Sequence, residues 1–543
     1  MTMATTLFLV LFITISLIPI LKRFALRAHL LDIPNERKVH SLPVPKVGGL
    51  AMALGFFIPV LIWLPLDHFV IALLLGSGVL IVTGLVDDRS NLGYKAKFLA
   101  QTAAALIVIL YGGIRIDSLG TLLPEGTRLP LAISIPLTTI TIVCITNAIN
   151  LADGLDGLAG GICLIIFLCL SALAYGAADT TTIFLCLAML GAIFGFLAFN
   201  THPASVFMGD TGSLFLGFMA VVLSLRITQG NTPLSPTIPL FVIGIPIIDT
   251  MMVTLERIRA GRPLFVADKN HFHHKLIKTG FFHTEAVFII YVLQSLFVLC
   301  AYFLRFYDDC FLLGLYGLLL SAIVGFFLVI KWKSFTFKRY LIIDKVIKGK
   351  LRFLKNQTLM LQIATIILTY ILPLTLFADG ILIKNLPQWI SYGALTLIGI
   401  ILTLWGIRSR FLHGMVRIVL FFTIPTIIYF SQNAVRSMHF KTIYLICLST
   451  CILSAFIMIR FDRRQKCFKA SPMDYLILVL VIGLPILLEP IMEAVMVRTF
   501  LVQTIIFQYC YQIVLDARHK AHLQIIATTI GALIIIALKG LIL

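Results

Sequence analysis

Stretches of about 20 apolar residues, the length a helix needs to cross a hydrocarbon layer, recur along the whole of this chain. Hydrophobic residues make up 60% of its 543 positions. That is more than an ordinary globular composition holds, and a soluble fold would have nowhere to put it. A transmembrane barrel would show alternating segments of about ten residues, and the sequence lacks them. The chain is therefore expected to be all-α, a polytopic bundle of transmembrane helices.

The apolar runs predict eleven spans at roughly 3–21, 48–66, 69–86, 98–114, 130–149, 158–177, 181–199, 212–228, 236–254, 285–305 and 311–330, with about seven more beyond residue 355. The first run, Leu7 to Ile20, has neither a basic flank nor a small-residue cleavage site, so it reads as a retained span. The loops after the first, third, ninth and eleventh spans carry the basic residues: Lys22, Arg23, Arg27, Arg37, Lys38 and Lys46, then Arg89, Lys95 and Lys97, then Arg257 to Lys278, then Lys331 to Arg339. The intervening loops are poor in Lys and Arg. The positive-inside rule then places the N-terminus outside and the basic loops in the cytoplasm. It also accounts for most of the net charge of +19, with no nucleic-acid partner needed. The rest is suited to anionic lipid and anionic substrate.

Three regions follow: a membrane domain over 1–330, a basic amphipathic linker over 331–355, and an additional transmembrane domain over 356–543. No internal repeat relates the two halves. The ten cysteines lie mostly inside apolar runs, Cys447 and Cys451 four apart, and read as small buried hydrophobes.

Four polar clusters interrupt the first domain, and all fall at loops after odd-numbered spans, the side that the charge rule places in the cytoplasm. Ionisable groups at that depth are functional candidates. Asp87 and Asp88 are adjacent, so they need a cation or a proton between them. With Lys95 and Lys97 close by, they read either as a base or orienting pair with phosphate-holding lysines, or as a solvated helix end. In Asn147 to Gly157, Asn147, Asn150, Asp153 and Asp156 recur at every third position, which shares a helical face. Their oxygens suit a hard cation such as Mg²⁺; the bland alternative is a polar stripe packed on another helix. Asp210 lies in the Gly-rich run Phe207 to Ser213, where it or Thr211 can cap the following helix. His271, His273 and His274 sit among basic residues. No Cys or carboxylate is spaced to complete a zinc site, so an anion clamp is the better reading. Asp249, inside the ninth span, receives no role. Glu489 and Glu493, with Arg498 nearby, keep open a transporter or scaffold role for the C-terminal half.

The motifs RKVHSLPVPKVGG (Arg37 to Gly49), LVDDRSNLGYKAKFLAQ (Leu85 to Gln101), NAINLADGLDGLAGG (Asn147 to Gly161), FNTHPASVFMGDTGS (Phe199 to Ser213) and DKNHFHHKL (Asp268 to Leu276) together resemble the polyprenyl-phosphate N-acetylhexosamine-1-phosphate transferases. The resemblance covers roughly residues 1–330, and the HFHH form is similar to the N-acetylglucosamine branch. It implies that Asn150 and Asp210 hold Mg²⁺, with Mn²⁺ as an alternative. It implies that Asp156, Asn200 and Phe207 shape a uridine pocket, that Lys97 binds phosphate, and that His271, His273 and His274 meet the nucleotide-sugar diphosphate. Asp87 and Asp88 match an aspartate pair associated with the lipid phosphate; Asp153 belongs to the same catalytic set.

The reaction so implied joins undecaprenyl phosphate to N-acetylhexosamine 1-phosphate from a UDP-sugar, N-acetylglucosamine being favoured, and releases UMP. It would initiate a cell-envelope polysaccharide such as O-antigen at the bacterial plasma membrane. A homodimer or downstream glycosyltransferases are the protein partners it leaves open. The extension beyond residue 356 departs from the family's pattern.

Overall fold

The computed structural model describes residues 3–332 except 29, 33–42, 125, 230–231 and 262–270, and residues 357–542 except 384–385, 407–411, 432–437, 462–499, 501–502, 505, 512–513 and 515–521. Helices dominate: α1 (Met3–Ala28), α2 (Gly48–Trp63), α3 (His68–Ser90), α4 (Tyr94–Leu110), α5 (Leu131–Ala152), α6 (Leu158–Gly176), α7 (Thr180–Asn200), α8 (Gly209–Gln229), α9 (Ile238–Val242), α10 (Gly244–Arg259), α11 (Phe272–Lys278), α12 (His283–Phe303) and α13 (Asp309–Trp332) form one compact unit. A second unit holds α14 (Gln357–Ile381), α15 (Gln388–Gly406), α16 (Leu412–Ser431), α17 (Met438–Phe461) and α18 (His522–Ile542). The described strands are β1 (Leu31–Asp32) and β2 (Val44–Pro45), paired antiparallel.

Nine of the described helices are long and apolar enough to cross a membrane, and the chain is an all-α polytopic membrane protein. All eleven expected spans of the first unit have a helical counterpart. α2 and α4 are shorter than a full span, at 16 and 17 residues. The ninth is not continuous: it breaks at Ile243 between α9 and α10, where Pro239, Gly244 and Pro246 cluster. A proline has no N–H to donate and clashes with the preceding turn, and the freed backbone groups need partners in an apolar interior. Gln294 of α12 supplies them, accepting from Ile245 N–H at 3.2 Å and donating to Val242 C=O at 2.7 Å.

α8 is the centre of the first unit. Its buried residues lie on every side of the helix, from Thr211 to Thr228, with α2, α3, α5 and α6 around it. A helix apolar all round belongs in such a place. Far from the clusters described above, Asp309 joins three segments: it accepts from Thr121 N–H at 2.8 Å and from the Ser235 hydroxyl, and fixes the start of α13.

In the second unit α14 packs on α17 and α15 on α18, around Leu372, Leu376, Ile427 and Cys451. Among the described residues of this unit Asp379 is a buried carboxylate, and it accepts from the Tyr444 hydroxyl at 2.6 Å. Glu489, Glu493, Arg498 and nearly all of the expected basic linker lie outside the described residues.

Candidate active site

The helices run on past the apolar stretches, and this positions the polar clusters. α3 extends to Ser90, so Asp87 and Asp88 sit in its last turns rather than in a loop. α5 extends to Ala152 and carries Asn147 and Asn150 on its final turns. Asp210 occupies the first turn of α8. α3 and α5 both flank α8, so three helix ends meet.

The two adjacent aspartates do different things. Asp88 caps α8 from outside: its Oδ1 accepts from Asp210 N–H at 3.0 Å, and its Oδ2 from Thr211 N–H at 3.2 Å and the Thr211 hydroxyl at 2.8 Å. The cap expected from Asp210 or Thr211 is thus supplied by α3. A helix start presents free N–H groups and a positive end, and Asp88 satisfies both needs. Asp87 turns the other way. Its Oδ1 accepts from Leu92 N–H at 2.6 Å, and its Oδ2 lies 2.7 Å from Lys97 Nζ. Lys97 also pairs with Asp210 Oδ2, so its ammonium joins Asp87 to Asp210.

Asn150 donates to Asp210 Oδ1 at 3.2 Å and to the Ser213 hydroxyl at 2.7 Å. Asn147 faces α4 instead and pairs with Gln101, whose amide donates to it at 3.2 Å. The regular three-residue spacing ends here. Asp153 is the C-cap of α5 and Asp156 is off the helix, because the chain turns at Gly154 and Gly157. One helical face therefore carries Asn147 and Asn150, not four residues. Burial pushes the Asp153 carboxyl up to about 8, and the charges of Asp210 and Asp156 add to the effect.

Lys46 was legible only as a loop charge. It lies 3.3 Å from Asp32 and 3.8 Å from Asp88. A parallel bridge between Lys46 and Phe207 brings it there, with Phe207 N–H donating to Pro45 C=O at 2.9 Å. The cluster so built sets Asp32, Asp87, Asp88 and Asp210 against the ammoniums of Lys46 and Lys97 among the described residues. That excess of negative charge, made of hard oxygens, fits a divalent cation such as Mg²⁺. Asp210, with Asn150 beside it, could hold one, its oxygens being bonded in this structure by Asn150 and Lys97.

A second group forms around Asp156. Burial pulls its carboxyl up, but His202 and Ala204 N–H bond it at 2.8 and 3.1 Å and, with the nearby His283 ring, hold it below the usual carboxylate range. The His283 ring stacks on His202 at 4.3 Å and accepts from Asp156 N–H at 3.1 Å. Asp156, His202 and His283 offer ligand atoms close enough together for a metal ion; Asp156 is already bonded by His202 and Ala204 N–H, while His283 Nδ1 is buried without a hydrogen-bond partner among the described residues. The Asn200 side chain accepts from Gly157 N–H and donates to Val206 C=O, both at 2.9 Å. It fixes the wall of this pocket through the backbone.

The histidine motif opens α11. His273 is buried against Gly154, so close that a Cβ on that residue would overlap its ring. Burial, reinforced by His274 beside it at 4.2 Å, pushes the His273 imidazole down to about 3. Near neutral pH this ring is uncharged, so it can serve an anion only as an N–H donor. His271 lies parallel to it at 6.0 Å. Asp249, which carried no role in the sequence reading, meets His271 here. Its only signal was a lone acid inside an apolar span.

Comparison with known proteins shows the family to which the chain belongs. The glycosyl transferase family 4 profile matches residues 70–228. A probable undecaprenyl-phosphate N-acetylglucosaminyl 1-phosphate transferase of Bacillus subtilis is 38% identical over 302 residues, which is 55% of this chain and 84% of that protein. The undecaprenyl-phosphate alpha-N-acetylglucosaminyl 1-phosphate transferase of Escherichia coli O157:H7 is 30% identical, over 58% of this chain and 87% of that protein. A decaprenyl-phosphate N-acetylglucosaminephosphotransferase of Mycobacterium leprae is 34% identical, over 48% and 73%. The chain belongs to glycosyl transferase family 4 and, within it, to the branch of the undecaprenyl-phosphate N-acetylglucosaminyl 1-phosphate transferases.

Proposed function

We propose that this protein transfers N-acetylglucosamine 1-phosphate from UDP-N-acetylglucosamine to undecaprenyl phosphate, releasing UMP and starting a cell-envelope polysaccharide. The observation that carries this reading is the meeting of Asp87, Lys97, Asn150 and Asp210 at the ends of four helices. The names of the relatives support the lipid acceptor and the sugar phosphate.

In the proposed reaction a lipid phosphate oxygen forms a bond to the phosphorus that bears the sugar. The bond from that phosphorus to the bridging oxygen breaks, and the electron pair leaves with UMP. Both substrates are anions, so charge and position are the obstacles. Lys97 would bind phosphate from its seat beside Asp87. Asp210 and Asn150 would hold Mg²⁺, which when bound neutralises charge on the diphosphate. A phosphate monoester is already largely ionised near neutral pH, its second pKa being about 6. Asp87 is thus needed more to orient Lys97 than to act as a strong base. Asp156, with His202, His283 and the Asn200 wall, would receive the nucleoside end, and the α11 histidines the diphosphate.

The location follows the same logic. A lipid phosphate lies at the headgroup plane, and a nucleotide sugar is dissolved in the cytosol. Helix ends at the cytoplasmic face of the plasma membrane, the basic side by the charge rule, can reach both.

Membranes containing the protein, supplied with radiolabelled UDP-N-acetylglucosamine, undecaprenyl phosphate and Mg²⁺, test the reading beside an Asp210→Ala control. Lipid-extractable label that requires metal and Asp210 is the expected result. Label with another UDP-N-acetylhexosamine instead would change the sugar; no label from any would refute the reaction.

A further inference from the structure

α10 carries one carboxylate inside the apolar interior, Asp249, only 5% exposed. Both of its oxygens are committed to the histidine motif. Oδ2 lies 3.0 Å from His271 Nδ1, and Oδ1 accepts from Phe272 N–H at 2.7 Å, the first residue of α11. One side chain thus fixes the ring of His271 and the backbone next to it. A lone buried carboxylate would be costly, so this pairing also explains how Asp249 is tolerated at its depth.

An imidazole beside an acceptor-only carboxylate must place its proton on the nearer nitrogen. Nδ1 is that nitrogen, and among the described residues no group bonds Nε2 of His271. The His273 ring lies parallel to His271 at 6.0 Å, and His273 in turn rests on Gly154, between Asp153 and Asp156. We propose that Asp249 is a positioning residue: it holds His271 in the Nδ1–H form and aims Nε2 at the diphosphate of the nucleotide sugar. As the anionic diphosphate binds, the ring takes up a proton from solvent at Nε2 and so donates at both ends, between the two anions. A carboxylate behind a working histidine performs this kind of orientation in other sites.

The inference rests on the transferase reading, and its test separates the two. Asp249→Asn keeps an acceptor for Phe272 N–H but can present an amide N–H to His271 Nδ1, which favours the other ring form. It should leave the thermal midpoint near that of the parent, raise KM for UDP-N-acetylglucosamine, and lower kcat/KM by about 10- to 100-fold. In a His271→Gln background the same change should cost less than about twofold, since residues acting through one another do not add. Independently of activity, ¹⁵N spectra of histidine-labelled protein, with His271 assigned by its loss in His271→Gln, should show Nδ1 protonated in the parent and not in Asp249→Asn. Additive losses, or an Nε2–H ring in the parent, would overturn the proposal. Failure of the parent to transfer would refute the reaction, while the spectra would still decide what Asp249 does.

Discussion

The Asp88 carboxylate occupies the space into which a side chain at Gly209 would grow: a Cβ built on Gly209 would overlap both carboxylate oxygens. Gly209 also has φ +66°, a conformation that disfavours any residue with a Cβ. The two facts act together, because the turn at Gly209 delivers the Asp210 and Thr211 N–H groups to Asp88.

Gly209→Ala should therefore damage both stability and the site. The left-handed backbone costs about 1–2 kcal/mol, and displacing Asp88 removes the cap, worth about 1 kcal/mol more. Transfer activity should fall at least about tenfold, because Asp210 moves with the helix start. Gly78→Ala, where a Cβ meets nothing within 4 Å, is the control. Thermal midpoints and transfer rates for both variants check this; equal behaviour of the two would remove the Gly209 turn from the argument.

Removing Lys97 should lower turnover and metal demand together. Its ammonium sits with Asp87 and Asp210, where it serves substrate phosphate and competes with a divalent cation for the same oxygens. Lys97→Met should lower kcat/KM by about 10²- to 10³-fold, the loss typical of one charge-stabilising group. The Mg²⁺ concentration giving half-maximal rate should fall, since a competing positive charge is gone. A Mg²⁺ titration of residual transfer measures both; a raised requirement would mean that Lys97 helps to build the metal site.

His273 gives the pH dependence a definite sign. Its folded-state value is depressed to about 3 by burial and by His274, whereas an unfolded histidine titrates near 6.5. Below about pH 6.5 the unfolded chain takes up a proton that the folded chain refuses, and linkage makes folding less favourable. Stability from the neutral ring is complete above about 6.5 and is lost as pH falls toward 3, at up to about 1.4 kcal/mol per pH unit. Thermal midpoints between pH 7.5 and 5 should drop more in the parent than in His273→Gln. Parallel curves would show that His273 does not carry this acid sensitivity.

Apolar length was enough to anticipate the all-α bundle, because a bilayer constrains helix length and backbone pairing so tightly. The same residues announced the site: Asp87, Asn150 and Asp210 stand out against apolar neighbours and do converge. What stayed hidden depends on distant partners. Nothing local distinguishes Asp87 from Asp88; only the approach of α8 makes one a cap and the other a partner of Lys97. Asp249 has no motif, and its meaning appears only when α11 folds back onto α10. His283 is the first residue of α12 and looks like any polar helix start, and its stack on His202 is a tertiary event. The break at Ile243 lies among Pro239, Gly244 and Pro246 inside a continuous apolar run, and it is tolerated because a distant residue, Gln294, supplies the lost bonds.

The engagement of Asp88 bears on the chemical route. A covalent mechanism would need a carboxylate free to attack phosphorus, with its oxygen exposed to the substrate. Asp88 has both oxygens tied to the start of α8 and a buried side chain. Freeing it would strand at least two N–H groups, at about 1–3 kcal/mol each, before any reaction began. Direct attack by the lipid phosphate avoids that loss. The protein supplied with UDP-N-acetylglucosamine and labelled UMP, but no lipid phosphate, should therefore show no exchange of label into the nucleotide sugar. Adding undecaprenyl phosphate should start exchange, because reversal of a single displacement requires the lipid product. Lipid-independent exchange in the parent that disappears in Asp88→Ala would reverse this assignment. It would make Asp88 a nucleophile that leaves its cap during turnover.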